Sequence, residues 1–217
     1  MIAISPDLLD RNGHETIRVT SAYARRIWDA GGLGLVVPSD IATIPELLAR
    51  FDGFVLTGGD DPRTEPFGEP THSQTTPVHP VRQGFETELL RALRSDAPDL
   101  PVLGVCLGMQ MMALSSGGSL DQFMPETTAT HAEHWEANHA VAGEHGYPSG
   151  EVRSKHHQAV RDPGSMRIVS CAHDGVVEAI DDPSRKHFIG VQWHPERTDE
   201  HAMGQWYFDQ LVAACRR

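Results

Sequence analysis

The sequence predicts an α/β fold: a three-layer, open, mostly parallel sheet with helices on both faces, formed by residues 1–217 as one domain. Three observations predict it. Over the first half of the chain, short apolar runs alternate with amphipathic helical stretches, punctuated by glycine and proline. The run Pro101-Val102-Leu103 breaks at Gly104-Val105-Cys106-Leu107-Gly108 into a helical stretch, the strand–turn–helix arrangement that presents a nucleophile over a sheet edge. Near the other end, the strand-like Phe188-Ile189-Gly190-Val191-Gln192-Trp193 stops at His194-Pro195-Glu196.

In chain order, Ile2-Ala3-Ile4 is the first strand. Thr20 or Ser21 caps a helix with Tyr23, Ala24, Ile27 and Trp28 at helical spacing, ended by Gly31-Gly32. Leu33 to Val37 is a second strand, stopped by Pro38, and Pro45 opens a short helix to Arg50. Gly53 to Thr57 is a third strand that Gly58-Gly59-Asp60-Asp61-Pro62 breaks. Residues 60–81 contain five prolines and read as a long loop, a length that in a compact domain usually marks function. Phe85, Leu89, Leu90 and Leu93 mark a helix before the Cys106 turn, and Met109 to Leu114 the helix after it. Residues 121–150 are polar, rich in histidine and without clear period, and receive no assignment. Arg167–Cys171, Val176–Ile180 and His187–Val191 are short strands, partly antiparallel, and Met203 to Val212 lie on a final helix.

Composition narrows the function classes. A net charge of −12 without a basic cluster argues against nucleic-acid or anionic-membrane partners. No apolar run approaches the ~20 residues that span a bilayer, and the first residues lack the pattern of a signal peptide. Three scattered cysteines make neither a disulfide framework nor a zinc motif, so a reducing, cytoplasmic setting is expected. Thirteen histidines make the charge sensitive to pH between about 5 and 7. His131, His134, His139 and His145 show no H-E-x-x-H or tight carboxylate–histidine pattern, and no metal and no cofactor are expected.

Cys106 sits at a helix N-terminus, where partial positive charge favours a thiolate. A cysteine nucleophile needs a base, and the base an orienting acceptor. His194 and Glu196, two apart at a strand end, leave the same face in extended geometry. Alone, His-Pro-Glu is an ordinary loop sequence; 88 residues after the cysteine turn, it completes a set. Acyl transfer also needs backbone N–H donors toward the oxyanion. Leu107, after the nucleophile, and Gly59, on the neighbouring strand's glycine loop, are the candidates.

At these residues the chain resembles the class I glutamine amidotransferase-like superfamily, whose fold is flavodoxin-like. It is most similar to the peptidase C26 branch of γ-glutamyl hydrolases and γ-glutamyl-γ-aminobutyrate hydrolases. The resemblance runs from about residue 2 to residue 212. It is carried by Tyr23–Gly32, Leu56–Asp60, Gly104–Gln110, Gly117–Gln122 and Gln192–Glu196. It implies Cys106 as nucleophile, His194 as base and Glu196 as orienter, with Gln110 contacting the glutamyl moiety. Ser154-Lys155-His156-His157-Gln158 resembles the S-x-H-H-Q segment of the hydrolase branch, which implies that His156 lies close to the substrate. Leu107 stands where that branch usually has arginine, and Arg153 where asparagine usually precedes the segment; both bear on substrate identity. The implied function is hydrolysis of a small-molecule γ-glutamyl amide through a glutamyl thioester, in a protein that acts alone or as a homodimer. The alternative is a glutaminase subunit that supplies ammonia to a separate synthetase partner. A non-catalytic binder of a γ-glutamyl ligand is the third reading.

Overall fold

The structure is a computed structural model and describes residues 1–215, so the last two residues of the expected 1–217 domain lie outside it. Its strands are β1 (Ile2–Ile4), β2 (Asp7–Arg11), β3 (His14–Arg18), β4 (Gly34–Val36), β5 (Gly53–Leu56), β6 (Val102–Val105), β7 (Ser119–Asp121), β8 (Ala137–Gly143), β9 (Gly150–Ser154), β10 (Ala159–Asp162), β11 (Arg167–Ala172), β12 (Val177–Asp181) and β13 (Phe188–Val191). The helices are α1 (Ser21–Asp29), α2 (Ile44–Arg50), α3 (Pro80–Ser95), α4 (Leu107–Ser115), α5 (Met124–Thr127) and α6 (Gln205–Cys215).

One sheet runs β4-β1-β5-β6-β13-β12-β11-β8-β9. Its first five strands are parallel, and β12, β11, β8 and β9 extend it antiparallel. Strands β1, β5, β6 and β13 are apolar and buried throughout because both of their faces are covered, whereas the edge strand β4 leaves Leu35 and Val36 exposed. On one face α2, α3 and α4 pack down through Leu47, Phe85, Leu89, Leu93, Met109 and Met112. On the other, Tyr23, Ile27, Tyr207, Phe208 and Leu211 bring in α1 and α6. The expected three-layer architecture is therefore present.

Several elements differ from the sequence reading. The segment between Ser5 and Thr20, for which the sequence predicts no element, forms the β2–β3 hairpin, with Asn12 and Gly13 both at positive φ in its turn. Thr20 stands at the N-cap of α1 without a side-chain cap bond, and Trp28 points out of that helix, 69% exposed, while Tyr23 and Ile27 face the core. The proline-rich loop is irregular, as expected, but tightly tied. Asp61 N donates to Thr76 O, Val78 N to Asp61 O, and Thr76 N to the Asp61 carboxylate. Residues 121–150 contain α5, a 3₁₀ turn at His131–His134 and strand β8. No helix among the described residues is long and apolar enough to cross a membrane.

Candidate active site

The parallel strands carry the site at their C-terminal ends, where open α/β sheets place ligands. There, β5 delivers Thr57-Gly58-Gly59, β6 delivers Cys106 and β13 leads into His194.

Cys106 has φ 51° and ψ −104°, a conformation that costs a side-chain-bearing residue of order 1–3 kcal/mol. Packing on both sides enforces it. A Cβ on Gly104 would come within 2.8 Å of the Gly108 carbonyl carbon, and one on Gly108 within 2.4 Å of the Leu56 carbonyl oxygen. These two glycines let α4 settle directly onto β5 and β6. Cys106 N donates to Val191 O at 2.8 Å, which fixes the turn against β13.

His194 Nδ1 lies 2.9 Å from Glu196 Oε1. The pairing forms in a 3₁₀ turn, Pro195–Arg197, rather than in the extended strand end expected from sequence. Pro195 fixes φ and starts the turn. The backbone is held as well, since His194 N donates to Arg153 O at 2.9 Å. Burial favours a neutral imidazole, but hydrogen bonding to Cys106 and Glu196 and their negative charge outweigh it, and His194 is pushed up to about 9. Burial likewise opposes ionisation of Glu196. The His194 hydrogen bond and charge prevail and hold its carboxyl below the ordinary value. Arg197 Nε adds a contact at 3.2 Å to the same oxygen.

The Gly58-Gly59 loop is anchored from inside the chain. Arg82, on α3 and fully buried, donates to Thr57 O at 2.6 Å and to Gly58 O at 3.2 Å. Its charge is balanced by Glu86 at 3.0 Å and Asp7 at 3.4 Å. Gly58 N donates to Tyr23 Oη at 3.1 Å. A Cβ on Gly59 would lie 2.4 Å from Arg82 Nη1 and 3.0 Å from Leu107 Cδ2, so this residue must be glycine for loop, arginine and α4 to meet. Leu107, first in α4, has a backbone N–H without an intrahelical acceptor.

Gln110 lines the cleft, but its amide donates to Gln158 O and Gln192 Oε1, both at 3.3 Å. Gln192 Nε2 in turn lies 3.6 Å from Cys106 Sγ. Gln110 thus steadies the thiol through Gln192. His156 also borders the cleft, yet its Nδ1 is bonded to Gln158 O at 2.9 Å and its Nε2 is directed at Glu178, 3.5 Å away. The neighbouring His157 is the more open of the pair. It bonds the Asp61 carboxylate at 2.8 Å and stacks on Trp135 with ring centres 5.4 Å apart.

These groups surround a cleft of about 680 Å³, whose outer walls carry Arg18, Asp60, Trp135 and Lys155. Burial, together with the charges of Asp7 and Asp61, raises the Asp60 carboxyl above its ordinary value. Sequence reasoning missed Arg82, Tyr23, Asp61 and Trp135. Only an arginine in the otherwise helical apolar stripe of α3 hinted at the first.

Residues 1–196 match the Peptidase C26 family. The chain is 32% identical to YvdE of Lactococcus lactis, assigned as glutamine amidotransferase-like, over 79% of this chain and 78% of that protein. It is 25% identical to the γ-glutamyl-γ-aminobutyrate hydrolase PuuD of Escherichia coli K12, over 94% of this chain and 89% of PuuD. A crystal structure from Thermoplasma acidophilum, assigned to one component of a GMP synthase, superposes with TM-score 0.67 at 20% identity, over 99% of this chain and 94% of that one. The chain therefore belongs to the peptidase C26 family, and its fold is glutamine amidotransferase-like.

Proposed function

We propose that this protein is a stand-alone, cysteine-dependent hydrolase of γ-glutamyl amide bonds, acting on a γ-glutamyl amine or a γ-glutamyl-γ-aminobutyrate-like substrate. The observation that carries this reading is the internal anchoring of the Gly58-Gly59 loop by Arg82 and Tyr23 beside the Cys106, His194 and Glu196 side chains. A loop fixed by its own chain is preorganised, and preorganised donors are what acyl-transfer catalysis needs.

In this mechanism the Cys106 proton passes to His194 and the sulfur attacks the side-chain carbonyl carbon of the γ-glutamyl group. The N–H groups of Gly59 and Leu107 receive the developing oxyanion. With Gly58 N–H already held by Tyr23, Gly59 is the loop residue left for that task. Collapse of the tetrahedral intermediate breaks the C–N bond as imidazolium donates its proton to the leaving amine. His194 then takes a proton from water, hydroxide attacks the thioester carbonyl, and glutamate leaves with the thiol regenerated. Glu196 holds the imidazole in the required tautomer and stabilises its charged form. No step calls on a cofactor, and free thiols at Cys106, Cys171 and Cys215 suit a reducing cytoplasm.

The second reading, a glutaminase subunit, is supported by Leu107 and by the likeness in fold to a structure assigned to a synthase component. Assaying the purified chain against γ-glutamyl amides of different amines separates the two. Turnover with no added protein, preference for a bulky or charged amine over ammonia, and a glutamyl adduct on Cys106 by mass spectrometry are expected. Cleavage of glutamine alone, and only with a nucleotide-dependent synthetase present, would establish the subunit reading. Ligand binding without turnover by the intact chain would favour the non-catalytic one.

A further inference from the structure

Beneath the cleft wall, three histidines converge on one carboxylate. His134 Nδ1, His139 Nε2 and His156 Nε2 lie 3.1, 3.4 and 3.5 Å from Glu178 Oε1. All four ligand atoms fall within 4.8 Å of one another, and all four residues are buried, Glu178 completely. They come from the 131–134 turn, β8, the segment before β10, and β12, so no local motif announces them.

The outer side of each ring is already committed. His134 Nε2 faces Asp174 Oδ2 at 3.0 Å, His156 Nδ1 faces Gln158 O at 2.9 Å, and His139 Nδ1 faces Ala140 O at 3.3 Å. Each outer partner is an acceptor and places a proton on the ring nitrogen it meets. In the neutral imidazoles the inner nitrogens then carry lone pairs, and these point toward a carboxylate that is also only an acceptor. None of the inner contacts has hydrogen-bond alignment: His134 Nδ1, His156 Nε2 and both Glu178 oxygens are buried without a hydrogen-bond partner. His139 Nε2 alone has another neighbour, the Ser154 hydroxyl at 2.9 Å, which it would exchange for an ion.

We infer that His134, His139, His156 and Glu178 form a binding site for one divalent transition-metal ion, zinc being the best match. Zinc–ligand bonds of about 2.0–2.1 Å in a tetrahedron put neighbouring ligands about 3.4 Å apart, close to the three histidine–Glu178 spacings here. A histidine whose far nitrogen is held by a carboxylate or a backbone carbonyl is the usual outer shell of such a site. Four protein ligands and full burial leave no open coordination position, so the ion is structural. It fastens the 131–158 segment onto β12. Trp135 and His157, each next in sequence to a ligand, are thereby fixed as walls of the cleft. The inference is independent of the chemistry assigned to Cys106.

The test uses the full chain, stripped with a chelator and dialysed, then titrated with Zn²⁺ alone or Co²⁺ alone. One ion per chain, a rise in Tm with Zn²⁺, and the visible ligand-field bands of four-coordinate Co²⁺ without thiolate charge transfer are expected. Asp174→Asn should weaken uptake by about 10–100-fold, the usual effect of an outer-shell change, and Glu178→Gln and His139→Gln by more. Cys106→Ser should leave it unchanged. Absence of uptake by the parent chain would overturn the inference, and so would a thiolate band, or uptake lost in Cys106→Ser but retained in Glu178→Gln. If Glu178→Gln fails to fold, the cobalt spectrum of the parent and the Asp174→Asn titration decide.

Discussion

Replacing Glu196 by glutamine keeps an acceptor for His194 Nδ1, now 2.9 Å from Oε1, and removes one negative charge. At an effective dielectric near 20, unit charges about 4 Å apart attract by about 4 kcal/mol. Arg197 stands beside the site in both proteins and cancels, while the glutamine amide oxygen retains part of the attraction, so a loss of about 3 kcal/mol, or roughly two pKa units, is expected. His194 should then fall from about 9 toward neutrality. In a profile of kcat/KM against pH for a γ-glutamyl amide, the alkaline limb reports loss of the imidazolium proton. That limb should move from near 9 to near 7 in Glu196→Gln, with His194→Ala far less active at every pH. The same linkage governs stability. Because the folded value is raised, the parent has the full contribution below about 6.5 and loses it as pH rises through about 9. Glu196→Gln should lose it at lower pH. An alkaline limb and a Tm–pH curve that both match the parent would refute an orienting carboxylate.

Cys106→Gly should abolish turnover yet raise stability by about 1 kcal/mol, because glycine relieves the φ 51° strain; a Tm below that of the parent would count against strain at this turn. Gly59→Ala, which drives a Cβ to 2.4 Å from Arg82 Nη1, should lower kcat by about 10²–10³ with KM changed much less. Arg82→Met leaves Glu86 and Asp7 without their buried partner and should cost about 3–5 kcal/mol in denaturant unfolding. Tyr23→Phe, which removes the acceptor for Gly58 N–H, should cost about 1–3 kcal/mol and slow kcat by loosening the same loop.

The parallel half of the fold was legible because its signals are local. Each strand there is a short apolar run closed by glycine or proline, and the Gly104–Gly108 turn and His194–Glu196 pair each fit within a few residues. What escaped depends on distant partners. Asp7 to Arg18 is too polar to read as a strand pair until it is seen folded back on itself. Arg82 stands in line with the apolar stripe of α3, and its role shows only once Asp7, Thr57 and Glu86 are brought around it. His134 and Glu178 are 44 residues apart in sequence, and no spacing rule connects them. The resemblance of Ser154–Gln158 implied only that His156 lies close to the substrate, whereas the direction of its ring is set by Gln158 and Glu178, which only the fold brings together.

The change from parallel to antiparallel order at β13–β12 also divides the molecule's evolutionary freedom. Cys106, His194, Glu196 and the glycine loop all stand on the parallel side, where close backbone packing leaves little room for substitution. Trp135, Lys155 and His157 stand on the antiparallel side, on connections outside the parallel strands. Exchanging the wall residues Trp135 and Lys155 alone should therefore shift preference for the leaving amine, while Arg153, whose carbonyl holds His194 N, and the buried His134, His139 and His156 stay in place. In laboratory evolution, diversity is best confined to such exposed wall positions, with the glycines of the parallel half held constant.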